Sequence, residues 1–222
     1  MNKWAILLAH AYGIIEKPNA ILFTGIQNIR AGDALVAKEK NQQIKLVAQA
    51  KKLENGKVIA FVLPQFVNPD DHLAFVKNEY NGVVIETGFA DKQFFYGKGA
   101  GSFPTASAVL SDISALQYEY KYEYKKLYHH QPYELTNDFY LRTYISFNDW
   151  EFVPREDFEW IEEWHAQEER KYFIGVISFN KLKNSNWWKE NNTSLILTPD
   201  SIIENIDLRN LKKKSLELAG IF

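Results

Sequence analysis

At 222 residues, the chain is long enough for one sizeable hydrophobic core or two modest ones. Hydrophobic residues make up 46% and charged residues 24%, which excludes a disordered chain. The net charge of -2 lacks the basic excess of a nucleic-acid binder, and the absence of cysteine excludes disulfides and thiolate metal sites. Cysteine-free composition also fits a reducing cytosol, and the chain is read as cytoplasmic. No segment has the roughly 20 consecutive apolar residues that span a bilayer, and Met1–His10 has no signal-peptide core. Most of the tyrosine and tryptophan falls after residue 117, which points to two regions with different packing.

Helical periodicity is under way at Lys3, with Ile6, Leu7, His10 and Ala11 on one face and Gly13 as the C-terminal stop. With no room for an N-cap, the natural chain is expected to begin earlier. Ala20–Ile29 reads as a strand and Ala31–Lys40 as a short helix. Gln43–Leu53 alternates, with Ile44, Leu46, Ala48 and Ala50 on one side. Glu54-Asn55-Gly56 is a turn signal, so the next strand, from Lys57 towards Pro64, completes a hairpin. A helical turn is expected around Asp70–Val76. Gly82–Thr87 and Lys92–Tyr96 form a second strand pair. The fold class predicted for this part is α+β, a mostly antiparallel sheet with helices on one face.

Gly97–Gly101 breaks the strand pattern, and Pro104 starts a helix with an apolar stripe of Ala106, Val109, Leu110, Ile113 and Leu116. Tyr118–Tyr124 alternates tyrosine with lysine and glutamate. His129-His130-Gln131-Pro132 is read as a loop at a domain boundary, dividing the chain into 1–128 and 129–222. Beyond it, Phe139–Phe147 is predicted as a strand and Arg155–Arg170 as a helix, with Phe158, Ile161 and Trp164 on one side. Lys171–Phe179 and Leu195–Leu197 follow as strands, with an abbreviated helix at Trp187-Trp188. The order β-α-β-(α)-β resembles the small α+β regulatory domain called ACT, without the glycine turn such domains place after their first strand.

The most specific stretch is Phe95-Tyr96-Gly97-Lys98-Gly99-Ala100-Gly101-Ser102-Phe103-Pro104-Thr105-Ala106-Ser107-Ala108-Val109. It resembles the homoserine dehydrogenase segment YGxGAGxxPTASAV, which joins the substrate domain back to the nucleotide-binding domain. Lys3-Trp4-Ala5-Ile6-Leu7 resembles the family's helix opening, and Phe23-Thr24-Gly25-Ile26-Gln27-Asn28-Ile29 its EGI-x-x-I strand. Ile44-Lys45-Leu46-Val47-Ala48 and Asp71-His72-Leu73-Ala74 match in type and order. The resemblance runs from about residue 3 to about residue 116.

The resemblance implies that residues 1–128 are a substrate-binding and dimerisation domain. It implies a parent enzyme interconverting L-homoserine and L-aspartate 4-semialdehyde with NAD or NADP, in threonine and methionine biosynthesis. It implies a homodimer whose sheet pairs across a two-fold axis. Lys3 would take part in proton transfer at the substrate hydroxyl, while hydride passes between substrate carbon and nicotinamide. The ordinary reading of Lys3 is a solvated lysine near a chain start. Gly97, Gly99, Ala100, Gly101 and Thr105 would line the edge of the cofactor site. Glycines there permit tight turning and close approach, and a loop at a helix mouth offers backbone N–H groups to an anion. Taken alone, that loop is equally a ligand-free connector, because it lacks the third glycine, βαβ unit and ribose-binding acid of a dinucleotide fingerprint. The family's catalytic aspartate, one helical turn before the lysine, and its cofactor domain would lie upstream of Met1. The chain alone is therefore expected to be inactive, with the helix after Pro104 left exposed or covered by a neighbouring chain.

Other candidates carry less. His10 on an apolar face reads as a core histidine, and His72 beside Asp70 and Asp71 as a solvated loop. The His129-His130 pair lacks a third ligand, so no metal site is predicted. Lys212-Lys213-Lys214 reads as a solvated face, and the sequons in Asn191-Asn192-Thr193-Ser194 as coincidence. No P-loop, G-x-S-x-G or H-E-x-x-H motif occurs. The rival reading from another class is a non-catalytic module that binds homoserine or a downstream amino acid for regulation.

Overall fold

The computed structural model describes residues 2–128, 133–149, 151, 153–167, 170–189 and 193–206. The His129-His130 loop, Asn191-Asn192 and the Lys212–Lys214 run lie outside the described residues.

The first helix, α1 (Asn2–Tyr12), stops where glycine predicts. Gly13 takes φ +70 and donates its N–H to the Ala9 carbonyl at 3.0 Å. Its packing face differs from the expected one. Leu8 and Ala9 are buried with Trp4 and Tyr12 partly covered, whereas Ile6, Leu7, His10 and Ala11 are exposed. Both faces are apolar, and the one carrying Trp4, Leu8 and Tyr12 at helical spacing wins because it covers more area against the sheet.

The strand expected over Ala20–Ile29 shrinks to β1 (Leu22–Phe23), ended by Gly25 and a turn in which Ile29 N–H donates to the Ile26 carbonyl. The short helix α2 (Ala31–Glu39) and the hairpin of β2 (Gln43–Lys52) and β3 (Val58–Val67) form as predicted. Gly56 supplies the turn's positive φ of +82, and Lys57 N–H donates to the Asn55 side chain. The second hairpin, β4 (Tyr80–Thr87) with β5 (Asp91–Lys98), is a separate two-stranded sheet. A helix, α3 (Ser102–Leu116), follows it and buries no residue. Its apolar stripe, including Leu110 at 65% and Leu116 at 71% exposure, faces outward.

The remaining strands are β6 (Tyr140–Phe147), β7 (Phe158–Gln167), β8 (Arg170–Ser178) and β9 (Thr193–Ile203), with a short helix α4 (Phe179–Asn184) after β8. They join β1–β3 in one seven-stranded mixed sheet. β3 pairs antiparallel with β2 along one edge and parallel with β1 and β9 along the other. β6 then pairs with β9 and β8, and β8 with β7, all antiparallel.

Two expectations are corrected here. Helices do not lie on one face only. Phe66, Ala50 and Ala60 face α1 and α2, while Phe61 and Leu63 face a second core holding Phe179 and Leu182 of α4. Arg155–Arg170 is also not a helix but the strand β7. Register shifts between Phe158 and Trp160 and between Ile161 and Glu163 each insert one extra residue. Phe158, Ile161 and Trp164 therefore stand opposite Ile177, Gly175 and Phe173, which share one face of β8. Two bulges convert a period of two into a spacing of three, which mimics a helix. The C-terminal order is β6–β7–β8–α4–β9 instead of β-α-β-(α)-β. One core also draws on both sides of the boundary placed near residue 128: Leu22, Phe61 and Leu63 pack with Phe139, Ile145, Phe173 and Leu195.

On the opposite face, Asp33 of α2 is 1% exposed and accepts hydrogen bonds from Tyr144 Oη at 3.0 Å and Ser146 Oγ at 2.5 Å, both on β6. Arg30 N–H donates to its second oxygen at 2.9 Å. Burial, followed by the Asp33 charge, pushes the Tyr144 phenol well above its ordinary pKa, so Tyr144 stays a donor. Asp33→Ala leaves two buried hydroxyls without their acceptor, and the expected loss is about 2–4 kcal/mol, read from the urea midpoint. An unchanged midpoint would show that the node contributes nothing.

Candidate functional site

Lys3 lies on the exposed face of α1, in line with Ile6, Leu7 and His10. The opposite face of the helix is fixed by Leu8 against Ile21 and Ala60, so the exposed face cannot rotate inward without opening that packing. Among the described residues Lys3 makes no ion pair.

The glycine-rich loop lies elsewhere, between β5 and α3. Gly97 and Lys98 complete β5 instead of ending it early, and Gly99 N–H donates to the Glu79 carbonyl at 3.1 Å. A side chain at Gly99 would meet the amide of the exposed Asn81 side chain on β4, which would have to swing aside. Gly101 precedes α3 with φ +118 and ψ 161, a conformation open essentially to glycine. Thr105 turns back on the loop, donating both its N–H, at 3.2 Å, and its hydroxyl, at 2.8 Å, to the Gly101 carbonyl. Gly97, Ala100 and Thr105 are exposed, and space beside Gly97 is open. Pro104 sits at the third position of α3, not the first. No hydrogen bond or ion pair among the described residues joins this loop to Lys3.

The base of the loop is braced by charge. Lys98 pairs with Glu79 at 2.9 Å and lies over the Tyr80 ring, which stacks on Tyr96. The hydrogen bond from Lys98 holds the Glu79 carboxyl below the usual range, and Glu79 reciprocally raises Lys98.

Three features escape sequence reasoning. Lys45 donates to the Val76 carbonyl at 2.6 Å, and burial, followed by nearby Lys77, lowers its pKa. His72 stacks on Phe94 instead of joining Asp70 and Asp71, and among the described residues no three metal-ligating side chains cluster. His10 is not a core histidine: its Nε2 lies 2.6 Å from Tyr122 Oη, with the Tyr124 ring 4.9 Å away. The tyrosine alternation is visible in sequence, but its partner 112 residues distant is not.

The sequence model of the homoserine dehydrogenase family matches residues 1–114. The homoserine dehydrogenase of Lactococcus lactis is 36% identical over 111 residues, covering 50% of this chain and 26% of that protein. Those of Corynebacterium glutamicum and Helicobacter pylori are 37% and 38% identical, with the same shares covered. The chain thus matches about a quarter of the length of these relatives. A solved homoserine dehydrogenase from Thiobacillus denitrificans superposes with a TM-score of 0.62 over 88% of this chain and 51% of that one, at 22% identity. One from S. aureus superposes with a TM-score of 0.54 at 23% identity, over 88% of this chain and 50% of its own. The likeness in fold therefore extends past the segment matched in sequence. Among the described residues no helix is long and apolar enough to cross a membrane.

Gly101→Ala forces a side chain into a glycine-only conformation, at an expected strain of about 1–3 kcal/mol. The expected result is faster amide exchange at Thr105, whose N–H the Gly101 carbonyl holds. Unaltered exchange there would show that the loop tolerates the change.

Proposed function

Because the chain belongs to the homoserine dehydrogenase family, we propose that it supplies the substrate-binding part of an oxidoreductase acting on L-homoserine and L-aspartate 4-semialdehyde. The observation that carries this reading is the ordered run of family motifs over residues 3–116, whose lysine stands on an exposed helix face.

In the oxidative direction the substrate's hydroxyl proton leaves as its carbon gives up a hydrogen with two electrons. The Lys3 Nζ is the group proposed to take part in moving that proton in both directions of the reaction. An aliphatic amine on an exposed face reaches outward to a bound ligand, and Ile6 and Leu7 beside it give that ligand an apolar floor. NAD or NADP, when bound, supplies the two-electron acceptor. The residues present fit only its edge. Gly97 leaves open space, and the α3 start offers backbone N–H groups at Ser102 and Phe103, whereas no acid follows at the spacing that reads a ribose. Gly97, Gly99, Ala100, Gly101 and Thr105 are proposed to border the nicotinamide from this side.

The same family reading carries a cytoplasmic homodimer in threonine and methionine biosynthesis. It also places the exposed stripe of α3 and the β4–β5 hairpin against a nucleotide-binding domain, which would account for Leu110 and Leu116 facing outward.

The test is homoserine-dependent NAD(P)H formation by the protein as expressed from its gene. Lys3→Ala is expected to lower kcat by about 10²–10⁴-fold, the range for loss of a positioned acid–base group. Turnover unchanged by Lys3→Ala would remove the proton-transfer role. Cofactor binding without any homoserine oxidation would favour the regulatory module instead.

A further inference from the structure

We infer that the tyrosine-rich strap of residues 118–128 is one end wall of the substrate site on α1, with Tyr122 as a positioning residue. This rests on the reading of Lys3 given above.

The strap leaves α3 through a reversal in which Glu119 takes φ +55 and Tyr120 N–H returns to the Ala115 carbonyl. It then clasps the C-terminal half of α1. His10 Nε2 and Tyr122 Oη lie 2.6 Å apart, with their rings edge to face at 5.2 Å. The Tyr124 ring lies against both, 4.9 Å from His10 and 5.3 Å from Tyr122. Two residues on, the chain closes over the helix end, where a side chain at Gly13 would come within 2.8 Å of the Lys126 carbonyl.

His10 and Lys3 are seven residues apart. At 3.6 residues per turn this brings them back to one line, about 10 Å apart along the axis. The surface between them consists of Ile6 and Leu7, exposed at 45% and 43%. The result is one exposed stripe with an amine at one end, apolar side chains along it, and imidazole and phenol groups at the other. A small polar amino acid whose hydroxyl meets Lys3 would direct its opposite, charged end towards the strap. Tyr122 acts through its hold on His10, which fixes the strap's place along the helix. The strap follows the segment matched by the family's sequence model, residues 1–114.

The test pairs calorimetric binding of L-homoserine with the rate of tryptic cleavage at Lys121, Lys125 and Lys126, in the whole protein. Wild type is expected to bind homoserine with saturable slowing of strap cleavage. Tyr122→Phe and His10→Ala are each expected to speed cleavage and weaken binding about five- to tenfold, the equivalent of one hydrogen bond. The double variant should be no worse than either single one, because both remove the same contact. His10→Gln, which keeps a polar partner for Tyr122, should recover most of the binding. A strap that is merely structural would show faster cleavage in the variants with homoserine affinity unchanged, and that result overturns the inference while leaving the dehydrogenase reading intact. Failure of wild type to bind homoserine overturns the reading on which the inference rests, and the inference with it.

Discussion

The structure depends on β3 being paired on both edges and buried on both faces. Val58–Val67 is apolar at nearly every position, so it has no solvent face to offer. One edge is closed along its length by β2, and the other is divided between β1 and β9. Because β9 comes from the far end of the described chain, the strand that centres the family segment also recruits β6–β9. Two layers follow, with α1 and α2 on one side and α4 with the aromatic core on the other. Asp33 then ties α2 to β6 through Tyr144 and Ser146, fixing the upper layer to strands that follow it by more than a hundred residues. A buried carboxylate with three donors resists sliding in a way that apolar packing alone does not.

Sheet and candidate site are coupled through α1. Leu8 and Ala9 anchor one side of the helix, and this determines that Lys3, Ile6, Leu7 and His10 are presented outward. The candidate face of this helix is the complement of its packing face. By contrast, the β4–β5 hairpin and α3 take little part in the core. Their order comes from local devices: the Lys98–Glu79 pair, the stacked Tyr80 and Tyr96, and the turn of Thr105 onto Gly101. Elements so lightly held adapt readily to whatever they pack against.

Much of this was legible in sequence where one physical signal acted alone. The alternation of Ile44, Leu46, Ala48 and Ala50 and the Asn55-Gly56 turn specify the β2–β3 hairpin, and Gly13 specifies the end of α1. Legibility failed where two effects overlapped. In β7, a pair of bulges gave Phe158, Ile161 and Trp164 a helical spacing. In α1, apolar residues occupy both faces, so periodicity could not say which one the sheet would take. The parallel β3–β9 contact, the Asp33 node and the His10–Tyr122 clasp are pairings across more than a hundred residues, and no local pattern encodes them. Lys3 and the glycine loop were found through family resemblance; local chemistry gave an ordinary lysine and a connector that is equally ligand-free.

The central claim, that the outward face of α1 takes the substrate and the glycine-rich loop borders the cofactor, is tested most directly by amide chemical-shift mapping with L-homoserine and a nicotinamide dinucleotide added in turn. The account predicts that homoserine shifts amides across Lys3–His10 and the Tyr122 strap, and that the dinucleotide shifts Gly97–Thr105. Shifts confined to β7 and α4, with α1 and the loop silent to both ligands, would contradict it.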